Sequence, residues 1–524
     1  MPLSTSTPAP APSLTPLSTG PYGELGVAVA TFSNGVFDPV QASVYAAMYM
    51  SAPMFDFLVR TDPPERISMG IAERWELDPN GLSWTFYIRK GIRFHNGSAL
   101  TAHDVKFTLD RYASKDAFYP HIRDIQEGVE VIDDYAVRVY TKGPQPFYWR
   151  FVSFIAGTQG AIIPKDYFEK VGKDRFNFHP VGSGPFRFVR HIPGDMVEYE
   201  ALDKHYRQVP AFKKLTIMVI PKETTRVAML KTGEVDIIEV GVDAVAQIEV
   251  VGLRAVTLAG SQALVHFYGA YDPRAKGMPT ADARVREALS LAINRDEIGR
   301  NLFSRKLQPP MPPSMWLDQP EIDVPYWRDY CAQFYRFDPE EAKRLLKEAG
   351  YSHGFAIKLY SYILAGVPYL SGLAQVIQGN WQEIGVKAEI VHKEWEAMEA
   401  LWRSGPNRGP AAELVGQVSI HGTDGHVMPA RAIMGYYWSK GTRDLIQGGV
   451  PELDSMVEAA LIEPSNVKRR EIIAKALHLA MDSRVCSVIG TVPKMAGLGP
   501  RVDIDFPTTS RSILQYVETA KHRK

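Results

Sequence analysis

The segment from His421 to His426 brings together side chains that could do chemistry. It reads HGTDGH and places His421, Asp424 and His426 within six residues. Imidazole nitrogens and a carboxylate are donors that suit Ni²⁺ or Zn²⁺, especially when a bound solute completes the coordination shell. The segment lacks the helical i, i+4 spacing that preorganises a metal site. We therefore favour a polar, glycine-rich loop and predict no cofactor, with His421 and His426 as the alternative metal ligands.

Two motifs of enzyme active sites are missing from the sequence. It contains neither a His-Glu-x-x-His zinc motif nor a Walker phosphate loop. The glycines of GSG at 182–184 lie in a Gly/Pro-rich turn, without the strand-to-helix setting that a phosphate-binding loop requires. We predict that the protein is not an enzyme.

Composition and charge restrict the class of protein further. Of the 524 residues, 45% are hydrophobic, and 59 Lys and Arg balance 59 Asp and Glu. A net charge of zero provides no field to attract nucleic acid, so we predict no nucleic-acid partner. Cys331 and Cys486 lie too far apart in sequence to suggest a disulfide framework or a zinc module. No apolar stretch approaches the ~18 residues that cross a bilayer.

The first twenty residues differ in composition from the rest of the chain. Residues 1–20 consist mainly of Pro, Ser, Thr and Ala, and they lack the basic and apolar regions of a secretory signal. Such a composition cannot pack a core. We predict a flexible tether, with a start-site artefact as the alternative.

Helix and strand patterns alternate along the chain. The clearest helix has Asp338 as its N-cap, Pro339 at its first position and Gly350 after its end. Predicted strands follow at 355–360 and 387–392, with a helix between them. Gly233 suits the C-terminal end of an earlier helix. Because the chain also exceeds the size of a single core, we expect an α/β protein of two or three domains.

The stretch from Gly70 to Arg111 has the pattern of two strands and a helix. Trp84, Phe86 and Ile88 alternate with more polar residues, which predicts a strand with one buried face. Lys90 and Gly91 predict a hairpin turn into a second strand that contains Ile92 and Phe94, and Thr101 with Asp104 predicts a capped helix start. We expect His95 and His103 to be solvated or satisfied locally and not to be functional.

These segments resemble, in order, those of the peptide- and nickel-binding class, family 5, of extracytoplasmic solute-binding proteins that serve ABC importers. The stretch 70–111 contains KGIRFHNG and AHDV, 180–186 reads PVGSGPF, and 285–298 reads VREALSLAINRDEI, each similar to a family motif. The resemblance extends from about Leu25 to Trp395 and then fades.

The resemblance implies an α/β, two-lobed periplasmic-binding-protein-like fold of type II, in its large class with an extra subdomain in the first lobe. We expect residues 21–262 to form the first lobe, including the extra subdomain at about 61–180. Residues 263–489 would form the second lobe, and 490–524 would return to the first. The lobes would close on a solute and release it chemically unchanged.

The resemblance also suggests ligand-binding residues. In peptide-binding relatives, an Asp in a Trp-x-x-Asp pattern pairs with the ligand's α-ammonium group. HGTD is similar, with His421 in place of the aromatic residue and Asp424 as the carboxylate. The Arg with which dipeptide-specialised relatives hold the far carboxylate has no counterpart in SYILAGVPYLSG, so a longer peptide or a neutral tail fits more easily. The further candidate contacts are Asn34, Phe37, Trp395, Tyr436 and Trp438.

The implied partners are a peptide or peptide-like solute and the permease subunits of an ABC transporter. We expect a monomer located in the periplasm or outside the cell, with a lipid anchor left open. The alternative on the same scaffold is a nickel or metal-chelate binding protein that uses His421 and His426. A sensor or chaperone role also stays open, because function depends on the site and the partners rather than on the scaffold.

Overall fold

The structure, a computed structural model, describes residues 20–32, 35–42, 47–62, 66–68, 70–119, 121–154, 159–315, 321–363, 369–403, 410–423, 430, 432–433, 437, 450–507 and 510–523. The strands within these residues are β1 (Glu24–Val29), β2 (Arg60–Asp62), β3 (Arg66–Ser68), β4 (Ala72–Leu77), β5 (Ser83–Ile88), β6 (Gln126–Asp133), β7 (Ala136–Thr141), β8 (Phe186–Ile192), β9 (Met196–Ala201), β10 (Lys214–Val219), β11 (Ile237–Val240), β12 (Arg254–Phe267), β13 (Ala356–Ile363), β14 (Lys387–Glu394), β15 (Val418–Thr423), β16 (Cys486–Leu498), β17 (Val502–Asp503) and β18 (Lys521–His522).

The α-helices are distributed between and around these strands. They are α1 (Ala102–Tyr112), α2 (His121–Ile125), α3 (Tyr148–Phe151), α4 (Lys165–Phe178), α5 (Glu223–Thr232), α6 (Val245–Glu249), α7 (Ala283–Leu291), α8 (Arg295–Leu302), α9 (Val324–Phe334), α10 (Pro339–Glu348), α11 (Leu370–Gln382), α12 (Trp395–Arg403), α13 (Pro451–Ile462) and α14 (Asn466–Asp482).

A ten-stranded mixed sheet runs through the molecule in the order β14-β13-β15-β12-β16-β11-β1-β10-β9-β8. We call β1 and β8–β11 the first half-sheet, β13–β15 the second half-sheet, and β12 and β16 the crossing strands. The crossing strands are antiparallel to each other, and each pairs with one of the half-sheets on its outer side. They therefore join the two half-sheets.

The register of the strands places the carboxyl ends of both half-sheets at the crossing. β1, β10 and β11 are parallel, as are β13, β14 and β15. Val240, at the end of β11, pairs with Met495 of β16. Thr423, at the end of β15, pairs with Gln262, which pairs in turn with Thr491 of β16. Because Thr491 and Met495 lie close together on one strand, the two carboxyl-end edges face each other.

A separate four-stranded antiparallel sheet has the order β4-β5-β7-β6. The alternation predicted for Trp84, Phe86 and Ile88 is confirmed, since all three are buried on β5. The predicted turn at Lys90 and Gly91 is present, with Gly91 at a φ of 86°, but the hairpin that it was expected to close is wrong. β5 pairs with the preceding β4 and with β7, while Ile92 and Phe94 are buried outside any strand. The hairpin forms instead between β4 and β5, across residues 78–82, and β7, from further along the chain, pairs with the other side of β5.

Two predicted helix starts and one predicted helix end are present. The Asp338 carboxylate accepts a hydrogen bond from the Glu341 N–H at 3.0 Å, and Asp104 accepts one from the Thr101 N–H at 2.9 Å. Gly233 ends α5 with a φ of 78°, a left-handed conformation that favours glycine. Residues 283–302 form two helices, α7 and α8, because Asn294 caps the second helix.

The buried apolar residues form three cores. One lies on the first half-sheet and includes Leu25, Val27 and Val517 from the C-terminal segment. A second lies under the four-stranded sheet. The largest packs the helices of the second half-sheet and continues along the crossing strands to α5 and α6. The domain boundaries predicted from sequence stay a prediction.

A buried ion cluster connects the unit of the four-stranded sheet with the helices of the second half-sheet. Arg150 of α3 and Arg469 of α14 donate to the same Glu321 oxygen, Oε1, at 3.3 and 2.7 Å. The Arg469 guanidinium lies over the ring of Phe147, 3.9 Å from its centroid. Leu461 of α13 packs against the same unit. The two parts of the chain are therefore in direct contact.

None of the helices in the described part of the chain has the length and apolar character needed to span a bilayer. Cys331 and Cys486 are both buried and are not joined to each other. Burial raises the pKa of each thiol to about 12, so both thiols are protonated at neutral pH.

Candidate functional site

The candidate site lies where the carboxyl-end edges of the two half-sheets face each other. In open α/β sheets, ligands bind in the crevice outside the carboxyl ends of the strands, where backbone groups and loop side chains are available. Here two such edges share one crossing. The carboxyl ends of β1, β10 and β11 therefore face those of β13, β14 and β15.

On the side of the second half-sheet, four aromatic or imidazole rings pack together. We call Tyr362, Trp395, Trp402 and His421 the ring cluster. The Trp395 ring centroid lies 5.2 Å from that of Tyr362 and 5.4 Å from that of Trp402, and the Trp402 and His421 centroids are 4.9 Å apart. Two of the predicted ligand-binding residues, Trp395 and His421, are thus brought together although they are distant in sequence.

His421 is held in place by a neighbouring strand. Its Nδ1 lies 2.6 Å from the Tyr362 hydroxyl, which also accepts the Gly422 N–H at 3.2 Å. In either tautomer of His421, Nδ1 is engaged in this hydrogen bond. Nδ1 is therefore not available to a metal ion in this arrangement. No three His, Cys, Asp or Glu side chains among the described residues lie close enough together to hold a metal ion.

Trp395 is the first residue of α12 and directly follows β14. Its side chain is only partly buried, whereas Trp402, two turns along the same helix, is buried. The indole N–H of Trp402 donates to the Tyr268 hydroxyl at 2.6 Å, which fixes the helix against β12. Trp395 therefore offers a rigidly supported ring at the carboxyl-end edge, suited to stacking on a ligand.

Phe37 lies on the side of the first half-sheet. Its side chain is fully buried, and its ring makes edge contacts with Phe188 and His191 at centroid distances of 5.3 and 5.2 Å. The Phe37 N–H donates to the Asn177 side-chain oxygen at 3.1 Å. Phe37 thus anchors the loop after β1 to the core, and its predicted contact with a ligand stays a prediction.

The other predicted site residues, Asn34, Asp424, His426, Tyr436 and Trp438, lie outside the described residues. Asp424 immediately follows Thr423, the last residue of β15.

Three residues of the opposite edge were missed by sequence reasoning. The Tyr49 hydroxyl donates to Glu239 Oε1 at 2.6 Å at the end of β11. The Arg226 guanidinium binds the carbonyl oxygens of Ile220, Pro221 and Glu239 at 2.7, 3.0 and 2.8 Å, and so ties the ends of β10 and β11 together. The available signal was an acidic residue at the end of DIIEV, an otherwise apolar buried strand.

His95 and the PVGSGPF turn, both part of the family-like motifs, pack against each other. The His95 Nε2 hydrogen bonds to the Gly184 carbonyl at 2.9 Å, and the His95 N–H donates to the Gly182 carbonyl at 2.8 Å. Burial lowers the pKa of His95 to about 4, although the bond to Gly184 works in the opposite direction. His95 is therefore hydrogen-bonded within the protein, to partners that lie 87 and 89 residues further along the chain and not in its own segment, and we assign it a structural role.

We expect His95 to make the protein less stable in mild acid. The unfolded chain binds the proton near the ordinary pKa of 6.5, whereas the folded chain binds it only near 4. Acidification through this window therefore favours unfolding, by up to about 3 kcal/mol. Urea unfolding at neutral pH and at about pH 4.5 should show a smaller pH-dependent loss in His95→Gln than in the unmodified protein. Equal losses in both proteins would contradict this role of His95.

One sequence pattern resembles the turn that carries a nucleophilic serine. Residues 350–354 read GYSHG and fit Gly-x-Ser-x-Gly. The nucleophile turn leads from a strand into a helix, whereas this segment leads from α10 into β13. Ser352 is exposed at the surface. It lies in a connection that leads from a helix into a strand, which is the reverse of the order in a nucleophile turn. The segment therefore does not provide an esterase-type site.

Comparison with known proteins gives both a family and relatives. The family model of bacterial extracellular solute-binding proteins, family 5 middle, matches residues 66–442. The dipeptide-binding protein of Escherichia coli strain K12 is 28% identical over 381 residues, which cover 66% of this chain and 67% of the relative. Heme-binding protein A of Haemophilus influenzae is 29% identical over 358 residues, covering 63% of this chain and 62% of the relative.

Solved structures show the same fold over nearly the whole chain. The ABC transporter substrate-binding protein CtaP of Listeria monocytogenes superposes with a TM-score of 0.79 at 20% identity. The superposition covers 96% of this chain and 99% of CtaP. The likeness therefore extends beyond the part of the chain that the sequence relatives match.

Proposed function

We propose a function from the premise that this chain belongs to family 5 of the bacterial extracellular solute-binding proteins: it captures peptides or peptide-like solutes between two lobes and delivers them, unchanged, to an ABC permease. The predicted family and the predicted two-lobed α/β fold are confirmed. The dipeptide-binding relative supports the peptide assignment.

The observation that carries this proposal is the meeting of two carboxyl-end edges at one pair of crossing strands. Closure at such a crossing removes a solute from water on most sides and strengthens its polar contacts. The β12–β16 ladder shifts register between Leu258 and Ser261 and again between Ala263 and Leu264. These irregularities interrupt the ladder at the crossing, where a hinge would bend.

The chain belongs to a family of extracellular proteins, so we assign its function outside the cytoplasm. A lipid anchor, a monomeric state and a periplasmic location are the finer parts of the proposal. Capture without turnover is also part of it. The proposal further retains Asp424 as the carboxylate that pairs with a ligand's α-ammonium group through charge-assisted hydrogen bonds.

The first experiment tests capture on the full chain. The protein is unfolded, dialysed free of any co-purified solute and refolded, and it is then mixed with peptide pools of about two to eight residues. We expect a pool-dependent rise in Tm, a smaller radius of gyration by small-angle scattering, and recovery of intact peptide by mass spectrometry. Absence of both the Tm rise and the compaction with every pool would overturn the proposal.

Two further arms separate the alternatives. Ni²⁺ alone and Ni²⁺ with free histidine replace the peptides. A Tm rise confined to these arms would favour the metal-chelate alternative. Asp424→Asn should weaken binding of a captured peptide roughly tenfold or more, because a charged hydrogen bond is lost. Asp203→Asn, at an exposed ion pair with Lys213, is the matched control and should bind like the unmodified protein.

A further inference from the structure

A hydrogen-bonded pair, Tyr49 and Glu239, lies at the carboxyl-end edge of the first half-sheet. Glu239 belongs to β11, which has β1 on one side and the crossing strand β16 on the other. The Tyr49 hydroxyl donates to Glu239 Oε1 at 2.6 Å, and Tyr49 is only 4% exposed. Glu239 itself is partly exposed. Because Glu239 is the penultimate residue of β11, we infer that this exposure opens near the carboxyl-end edge that faces the second half-sheet.

The carboxylate of Glu239 has no cationic partner among the described residues. Arg226, which is nearby, uses its guanidinium to bind backbone carbonyls, including that of Glu239 itself. Lys494 lies on β16, two residues before Ala496, and Ala496 is the residue that pairs with Glu239. Among the described residues, Lys494 and Glu239 form no ion pair. The described carboxylates near the ends of β11 have partners: Asp236 pairs with Arg501, and Glu223 accepts the Gly241 N–H.

A partly exposed carboxylate on a central strand is costly to keep unless a donor satisfies it. Tyr49 satisfies one oxygen and fixes the direction of the group, which leaves the other oxygen for an external donor. A cation from a ligand, such as an ammonium or guanidinium group, is the partner that matches this charge best. The pair is thus preorganised for a positive group that enters the crevice.

We propose that Glu239, positioned by Tyr49, is a specificity-determining residue that binds a cationic group of the solute from the first half-sheet. The inference rests on the proposed function and narrows its ligand class. Asp424 would hold one ammonium group from the opposite edge, and Glu239 would hold a second cation. The preferred solutes are then peptides or peptide-like molecules that carry a basic side chain.

The test uses matched peptides on the full chain. Short peptides in which one residue is Lys, Gln or Glu are titrated by calorimetry into the unmodified protein, Glu239→Gln and Tyr49→Phe. We expect the unmodified protein to prefer the Lys peptide over the Gln peptide by roughly tenfold or more, as for a hydrogen bond to a charged group. Glu239→Gln should remove this preference while keeping the affinity for the Gln peptide within about threefold.

The variants distinguish binding from positioning. Tyr49→Phe should reduce the Lys preference without removing it, because it frees the carboxylate but does not delete it. Glu234→Gln, in the same segment but before β11, is the matched control and should keep the full preference. If Glu239→Gln does not fold, the preference of the unmodified protein and its reduction in Tyr49→Phe decide the question.

The outcomes separate this inference from the proposed function. Peptide binding without any preference for Lys would overturn the role of Glu239 and leave the proposed function standing. A Lys preference that persists in Glu239→Gln would also overturn it. Failure of every peptide to bind would overturn the proposed function, and this inference with it.

Discussion

Gly184→Ala is expected to destabilise the protein by more than about 3 kcal/mol, because the added methyl group would overlap with backbone atoms. A Cβ at Gly184 would lie 2.6 Å from the Met54 carbonyl carbon and 2.9 Å from its oxygen. The Gly184 N–H donates to that same Met54 oxygen at 2.9 Å, so the two segments cannot separate without losing the bond. A Cβ at Gly182 would meet the same Met54 carbonyl even more closely.

The measurement is urea unfolding of Gly184→Ala beside a glycine with free space around it. Gly379 lies in α11, and a Cβ built there meets nothing within 4 Å. Gly379→Ala should therefore be neutral or stabilise the protein by up to about 1 kcal/mol, because alanine is the better helix former. A loss of stability of similar size in both variants would show that the PVGSGPF turn is not under special steric constraint.

Glu518→Gln is expected to cost about 3–5 kcal/mol, since it removes one charge from a buried ion network. Glu518 Oε1 accepts from Arg60 at 3.0 Å and from Arg207 at 2.6 Å. Arg207 also donates to Asp56 at 3.1 Å, and all four side chains are buried. The amide of the variant would leave two guanidinium groups with one carboxylate. The network joins the C-terminal segment to the part of the chain that packs on the first half-sheet.

Two comparisons test this cost by urea unfolding. Glu340→Gln, at an exposed pair with Lys343, should change stability by less than about 1 kcal/mol. The double variant Glu518→Gln with Arg207→Gln should lose less than the sum of the single losses, because both substitutions act on one network. Additive losses, or a cost of Glu518→Gln equal to that of Glu340→Gln, would contradict the role of the network.

The same network sets the response to strong acid. Burial acts to raise the pKa of Asp56, but Arg207 and His205 outweigh it and hold the pKa at about 2. Burial likewise opposes the effect of Arg207 and Arg60, which keep the pKa of Glu518 below its usual range. Lowered carboxyl pKa values stabilise the folded state above about pH 4, and this stability is lost as the pH falls towards 2.

Local signals in the sequence were read correctly where local physics decides the structure. The helix that begins after Asp338 and the stop at Gly233 depend on hydrogen bonds and backbone sterics within a few residues. The buried face of Trp84, Phe86 and Ile88 depends only on strand periodicity. The family resemblance added the two-lobed fold, which no periodicity in the chain contains.

The candidate site shows the limit of this reasoning. Trp395 and His421 were named from the resemblance and the aromatic composition, but their meeting through Tyr362 and Trp402 follows from the parallel pairing of β13 with β14 and β15. Asp424 lies outside the described residues. Its role therefore stays a prediction for the binding experiments.

By itself, the sequence determined the α/β class, the capped helices and the face that each amphipathic segment buries, because side-chain spacing and backbone sterics act over a few residues. Only the tertiary structure decided which strands pair. It set β5 beside β7, Tyr49 against Glu239, and Glu518 against Arg207. Such contacts join residues far apart in the chain, and the order of strands in a sheet, which sets them, leaves no periodic signal in the sequence.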